Sequence, residues 1–308
     1  MFKLILRIIF SALGLFLAYR LIDVEKVVSV FNNLRPFPFV KACLLYIISD
    51  YIGAVAWYYV IKSTGKQISL SSVVSAYWTG LFFNNFLPSS AGGDAVKGFH
   101  IIRQYQDPGL FTATIVIDRI INLFFLLLIG MSASYFIFRN RIIFIILIGS
   151  VSGFIFCIAV FNIIKVRRIG ILTGSSPVRQ FLYNFTSAFS SFAAFRSRIL
   201  YITLLLSFCS QFIKIYLYKY LIAAAGSKLA LIIMFIFVPV FGLSAMLPVS
   251  IGGLGIREIA GLKAAALLSV NQNEIIVLSL TGYLAFLLSN SLGIFYYILS
   301  PGKNQRKT

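Results

Sequence analysis

The chain has 308 residues, of which 60% are hydrophobic and 11% charged. Soluble domains run at about 45–50% apolar and about 25% charged, so this composition, with a mean hydropathy of +0.95, excludes an ordinary soluble protein, a disordered chain and a coiled coil. Lysine and arginine number 27 against 8 acids, a formal charge of +19; because the basic residues lie between long apolar runs, the expected partners are membrane lipids and the anionic membrane face, with no nucleic acid.

A helix needs roughly 20 apolar residues to cross the hydrocarbon core. In chain order, 4–22 qualifies, with Arg7 and Arg20 near its ends where they can snorkel. Its basic start is that of a signal peptide, but no A-x-A-like cleavage site follows, so it reads as a retained first span. The second run, 39–61, carries Asp50 inside it. Segment 67–93 is apolar but broken at Pro88 and Gly92-Gly93. Segment 111–138 carries Asp118-Arg119 in its first third, and 142–164 has no charge. A basic stretch, 165–198, then separates two halves, 1–164 and 199–308. Within it Val178, Phe181, Phe185, Phe189, Phe192 and Phe195 recur at three- or four-residue steps, one apolar stripe on a helix expected to lie in the membrane interface. The second half opens with 199–225, where Lys214 and Lys219 read as interfacial snorkellers. Segment 229–256 breaks at Pro248 and Gly252-Gly253, 275–299 is a clean last span, and a basic tail ends the chain.

Three cysteines, Cys43, Cys157 and Cys209, sit inside apolar runs, and His100 is the single histidine, so no disulfide frame or metal site is expected and no cofactor is implied. No nucleotide loop and no nucleophile–base arrangement is present in the sequence. Lysine and arginine bias places the basic 165–198 stretch and both termini in the cytoplasm. That parity requires the two broken segments, lying within 67–110 and 229–270, to dip in and return. The expected fold is therefore an all-α polytopic membrane bundle of two inverted repeats, with about six full spans and two re-entrant hairpins. The Arg139-Asn-Arg141 turn lands on the outside, against the bias.

The two broken segments read Leu87-Pro-Ser-Ser-Ala-Gly-Gly-Asp-Ala-Val-Lys97 and Leu247-Pro-Val-Ser-Ile-Gly-Gly-Leu-Gly-Ile-Arg257. In hydrocarbon a proline with paired glycines is tolerated only where it is buried or lines a cavity, and broken segments at corresponding places in two halves point to a transporter's binding site. The competing reading is a pair of kinked structural helices. Helix starts are expected at Asp94 and Leu254, where free N–H groups and a positive dipole end suit an anion. Lys97 and Arg257, one turn in, would attract a phosphate, arginine by two parallel bonds. Pro88, Gly92, Gly93, Pro248, Gly252, Gly253 and Gly255 would open the helices. Glu258 offers a counter-ion or a proton carrier. Asn84 and Asn85 face unsatisfied carbonyls or a headgroup. Asp118 and Arg119 point to different sides of their helix and pair with other segments or lock two helices structurally. Asp50 pairs with Arg119, Arg257 or a lysine, or stays protonated; with Asp118 and Arg119 it belongs to a gating or proton path.

At these residues the chain resembles the flippase-like transmembrane region of lysylphosphatidylglycerol synthases. The likeness is carried by Asn84-Asn-Phe-Leu-Pro-Ser-Ser-Ala-Gly-Gly-Asp-Ala-Val-Lys97, by Ile117-Asp-Arg119 and by Leu247-Pro-Val-Ser-Ile-Gly-Gly-Leu-Gly-Ile-Arg-Glu258, and runs from the first span to the last. It implies a bacterial inner-membrane domain that moves an anionic phospholipid or polyprenyl-linked glycolipid between leaflets, with a headgroup-modifying enzyme or glycosyltransferase as a possible partner. A membrane glycosyltransferase using a lipid-linked sugar and a non-transporting scaffold are the alternatives. Two departures stand out: Lys97 replaces the family's more usual arginine, and no aminoacyl-transfer domain follows the last span, so synthesis of a lysyl lipid is not expected.

Overall fold

The computed structural model describes residues 32–87, 90–139, 141–163, 176–192, 198–247 and 253–299. The expected first span at 4–22, the tail, and Pro88, Pro248 and Gly252 lie outside the described residues. All regular structure among the described residues is helical. In chain order the helices are α1 (Pro36–Ser63), α2 (Leu70–Asn84), α3 (Ser90–Tyr105), α4 (Pro108–Phe138), α5 (Arg141–Ile163), α6 (Pro177–Phe192), α7 (Arg198–Tyr216), α8 (Tyr218–Ala224), α9 (Leu231–Met246), α10 (Ile256–Leu267), α11 (Gln272–Ser291) and α12 (Gly293–Leu299).

Several starts follow from local chemistry. Ser69 accepts from the Ser72 N–H at 3.1 Å and opens α2; Asp107 accepts from Leu110 N–H at 3.2 Å before Pro108 opens α4. Each side chain satisfies one of the donors a helix start leaves without a partner, and proline at the first position has no donor to lose. Arg139 ends α4 in the left-handed region at φ 49°.

Four helical stretches are long and apolar enough to cross a membrane: Pro36–Ser63, Pro108–Phe138, Arg198–Ala224 and Gln272–Leu299. Ile145–Phe156 and Leu231–Met246 are shorter apolar helices. The outer faces are apolar too. Phe37, Val40, Leu44, Ile48 and Tyr51 form an exposed stripe on α1, and Ile142, Ile145, Ile155 and Phe156 are exposed on α5. Faces of that size and composition belong against lipid, not water, so the protein is an integral membrane protein.

The interior consists chiefly of two packed clusters, and α1 serves both. Its early residues Phe39 and Ala42 pack with Leu221, Met234, Phe237, Phe241, Ile275 and Leu278. Its later residues Ala54, Trp57, Val60 and Ile61 pack with Val73, Ile101, Phe111, Ile117 and Leu200. Asp50 sits where one cluster gives way to the other. Along α1 and α7 small residues let the backbones meet: Ser49 Oγ donates to the Ser210 carbonyl at 2.9 Å, and Ser210 Oγ returns the bond to Ser49 at 3.0 Å.

The aromatic stripe of the basic stretch turns inward. Helix α6 packs against α4, with Phe192 buried in the second cluster and Phe181, Phe185 and Phe189 in successive ring contact. Asn184 donates to Asp107 Oδ1 at 3.0 Å. The flank of α4 supplies an apolar surface for this helix that the hydropathy pattern does not reveal. Val178 at its start remains exposed, and Phe195 lies outside the described residues.

Candidate functional site: buried charge at two helix hairpins

Each interrupted segment folds as two helices packed against each other, α2 with α3 and α9 with α10. In the first hairpin the contact is close. A Cβ on Gly80 would lie 2.7 Å from the Gly93 carbonyl and 2.9 Å from Lys97 Cβ, and a Cβ on Gly93 would strike Gly80 O and Asn84 Oδ1. Asn84 Oδ1 accepts from the Gly93 N–H at 2.8 Å and ties the end of α2 to the start of α3. Helix α3 begins at Ser90, not at the expected Asp94. Gly92 and Gly93 therefore lie within its first turn, where they permit close approach of α2; they do not precede the helix as breakers. Lys97 stands two turns in.

The Lys97 side chain is only 4% exposed, and it is paired. Its ammonium lies 2.9 Å from Asp118 Oδ2 on α4 and 3.8 Å from Asp94 Oδ1 one turn back. It also sits 4.1 Å from the Trp57 ring centroid and 4.7 Å from that of Tyr77, so aromatic faces complete its shell. Arg119 Nε donates to the second oxygen of Asp94. Two carboxylates thus meet two cations across α3 and α4. Asn122 Nδ2 bonds Asp118 Oδ1 at 3.1 Å, and Gln211 on α7 bonds Asn122 at 2.8 Å. The expectation that Asp118 and Arg119 pair with other segments matches this arrangement.

The second hairpin is built differently. Helix α10 starts at Ile256, two residues after the expected Leu254, with Gly255 before it at φ +84°. Gly253 is also left-handed, at φ +81°. Both are conformations that favour glycine. Glu258 Oε2 accepts from the Gly255 N–H at 2.7 Å, so its first role is to cap α10. Its other oxygen accepts from Ser279 Oγ at 2.8 Å and lies 3.4 Å from Arg257 Nε. Arg257 donates to Ser279 Oγ at 2.9 Å and to the Ser279 carbonyl at 2.6 Å. Its guanidinium is flanked by the rings of Tyr283, at 5.0 Å, and Phe241, at 5.8 Å.

Between the hairpins, Asp50 Oδ1 pairs with Lys214 at 2.9 Å. Of the alternatives open for Asp50 this is the lysine, and it corrects the reading of Lys214 as an interfacial snorkeller: α7 turns that side chain toward α1. Asn85 donates to the Leu287 carbonyl, within α11, at 3.4 Å.

Sequence reading missed Ser279, Gln211 and Asn122, all polar residues in apolar runs, and it used Asp94 only as a helix start. It also missed Pro239, which lies inside α9. Proline removes one helical donor, and Gly130 of α4 makes room beside it, a Cβ there lying 3.0 Å from the proline ring.

Residues 4–291 match the family model described as the lysylphosphatidylglycerol synthase TM region. Among curated proteins, a UPF0104 membrane protein of Methanocaldococcus jannaschii is 28% identical over 103 residues, 33% of this chain and 31% of the relative. A UPF0104 membrane protein of Pyrococcus horikoshii is 34% identical over 85 residues, 26% of this chain and 25% of the relative. The matched region thus spans about a third and a quarter of these relatives. No solved structure matches.

Proposed function

Since the chain belongs to the lysylphosphatidylglycerol synthase transmembrane-region family, we propose that it moves an anionic phospholipid or polyprenyl-linked glycolipid between the leaflets of a bacterial inner membrane. The observation that carries this reading is the placing of a buried, compensated cation in each of two helix hairpins, Lys97 in one and Arg257 in the other. Charges at depth are costly and mark substrate or ion pathways. In this reading the hairpins are re-entrant, the two halves are inverted repeats with about six full spans, and both termini are cytoplasmic.

The geometry alters how capture would work. Lys97 and Arg257 are held by carboxylates, so a lipid phosphate enters by exchange: it takes the place of Asp94 or Asp118 on one side, or of Glu258 on the other. A carboxylate released in this way can take up a proton, and that gives Asp50, Asp118, Arg119 and Glu258 their place as gating pairs. A phosphate with two oxygens suits the arginine fork better than it suits a lysine. A headgroup-modifying enzyme is the expected partner.

The test is leaflet exchange in proteoliposomes. Purified protein should speed exchange of a labelled anionic lipid without changing its mass. Arg257→Ala should slow exchange far more than Lys219→Ala, which removes a positive charge bonded, among the described residues, to the Tyr216 hydroxyl alone. A covalently altered lipid that depends on an added sugar donor would instead establish a glycosyltransferase. No exchange and no product, across phosphatidylglycerol, its aminoacyl forms and polyprenyl phosphates, would leave a scaffold.

A further inference from the structure

A second polar feature lies away from the charge clusters, along the seam where α2 meets α11 and α12. Asn290 is fully buried, at 0% exposure, and neither its carbonyl oxygen nor its amide nitrogen has a hydrogen-bond partner among the described residues. The same holds for Trp78 Nε1, Thr79 Oγ1 and Asn85 Oδ1. Trp78 and Thr79 are 2% and 1% exposed. Buried amides and hydroxyls are nearly always paired, and leaving one unpaired costs about 1–3 kcal/mol. Asn290, Asn85 and Trp78 lie along one seam, with Thr79 next to Trp78 in α2, and such a group of unpaired side chains calls for a ligand.

Their proximity follows from contacts on either side. Asn85 Nδ2 bonds the Leu287 carbonyl at 3.4 Å. One turn beyond Asn290, Gly293 is pressed against Trp78, where a Cβ would meet the Trp78 carbonyl and, at 2.7 Å, Phe82 Cβ. Helix α2 therefore descends from Trp78 to Asn85 as the partner helix climbs from Leu287 to Gly293, and Asn290 stands between the two contacts. On the outer side of this seam an apolar groove is lined by Ile47, Tyr51, Ile52, Trp78, Leu292 and Tyr296. Trp78 belongs to both, and its ring stacks on Tyr296 at 5.9 Å.

We propose that this seam is a lipid site that takes the uncharged hydroxyls of a headgroup against Asn290, Asn85 and Trp78, with Thr79 beside them on α2 and a hydrocarbon chain in the adjoining groove. The orphaned groups supply both donors and acceptors, as hydroxyls require, and none of them carries a charge, so a phosphate alone gains little here. The proposal rests on the reading of the protein as lipid-handling and adds a hydroxyl-selective subsite to it. Vicinal hydroxyls can come from a sugar or from glycerol, and the test separates the two.

The chain has two tryptophans, so Trp57→Phe leaves Trp78 as the single fluorophore beside the groove. This variant, in phosphatidylcholine nanodiscs, is titrated with three lipids bearing identical dibrominated chains: monoglucosyl diacylglycerol, phosphatidylglycerol and phosphatidic acid. Quenching should reach half at a mole fraction at least fivefold lower for a hydroxyl-bearing lipid than for phosphatidic acid; the better of the two names the source. Adding Asn290→Leu should remove that preference, and Thr79→Val, which keeps the side-chain shape, should weaken it. Equal quenching by all three lipids overturns the proposal. So does a preference that survives both substitutions, which would place hydroxyl selection elsewhere. A preference present in this variant when the wild-type protein fails to exchange lipid between leaflets keeps the site and rejects the transport reading, because the readout requires binding alone.

Discussion

In the first hairpin Lys97 finds its carboxylate across an element boundary, on Asp118 of α4, while in the second Arg257 has its acid next to it in sequence and aims its guanidinium at Ser279 of α11. The first arrangement extends through Asp94, Arg119, Asn122 and Gln211 and reaches partial exposure at Arg119, 29%, and Asp94, 22%. The second is nearly closed, with Arg257 9% and Glu258 1% exposed. Two segments that both run Leu-Pro-x-Ser-x-Gly-Gly toward a cation thus end in different electrostatic solutions. The first joins two helices by ion pairs between them; the second anchors its cation to a backbone carbonyl and uses its acid to cap the helix. An ion pair between elements can be opened by moving one helix, whereas a capped and carbonyl-bound arginine moves with its helix. In the proposed transport cycle, lipid entry would therefore begin at the first hairpin.

The comparison is broken most severely at Lys97. Lys97→Met leaves Asp118 buried without its cation, and removing one partner of a buried pair costs about 3–5 kcal/mol. A large fall in the detergent melting temperature is expected, and adding Asp118→Asn should restore much of it. A small fall in the single variant would mean that Asp118 is served by its other partners.

Next is the hairpin contact itself. Gly93→Ala drives a Cβ into Gly80 O and Asn84 Oδ1, and overpacking of this kind costs about 1–3 kcal/mol. Gly149→Ala on α5, where nothing lies within 4 Å of the added carbon, is the comparison variant and should melt as wild type does.

Gly253→Ala tests the second break. A glycine whose only effect is to interrupt a helix should be replaceable by alanine with a gain in stability, because the alanine heals the helix. At Gly253 the structure points the other way: φ is +81° and the new carbon would lie 2.8 Å from Ala245 Cα. Holding an L-residue left-handed costs about 1–2 kcal/mol before that clash is counted, so the melting temperature should fall. A rise would restore the healed-helix account.

The mildest change is Arg257→Lys, which keeps the charge and loses the fork to Ser279. Hydrogen bonds to charged groups contribute about 1.5–3 kcal/mol in water but average about 0.6 between membrane helices, so about 1 kcal/mol is expected, with a loss of exchange rate larger than the loss of stability. Equal losses would reduce Arg257 to a structural anchor.

How much of this was legible in the sequence divides along physical lines. The span at Pro36–Ser63 was readable because length and hydropathy are properties of one segment. The second break was readable at Gly253 and Gly255, because a left-handed backbone is a property glycine brings to its own position. The pairing of Asp118 and Arg119 away from each other followed from helical spacing. The destination of each charge was not readable, because a helix fixes which residues share a face but not which helix that face meets. Lys214 looked like a snorkeller until α7 packed on α1 and set it beside Asp50.

What the sequence by itself determined, then, is the class and the ingredients: an all-helical integral membrane protein with two interrupted segments, each ending in a cation. Those features follow from composition and from backbone limits that operate within a few residues. Only the tertiary structure decided that both cations are compensated, that Gly93 serves close approach and not helix breaking, and that α6 packs on α4. It alone gathered Trp78, Asn85 and Asn290 at one seam. Those outcomes depend on contacts such as that of Asn85 with Leu287, 202 positions apart in the chain, and no local pattern carries information over that separation.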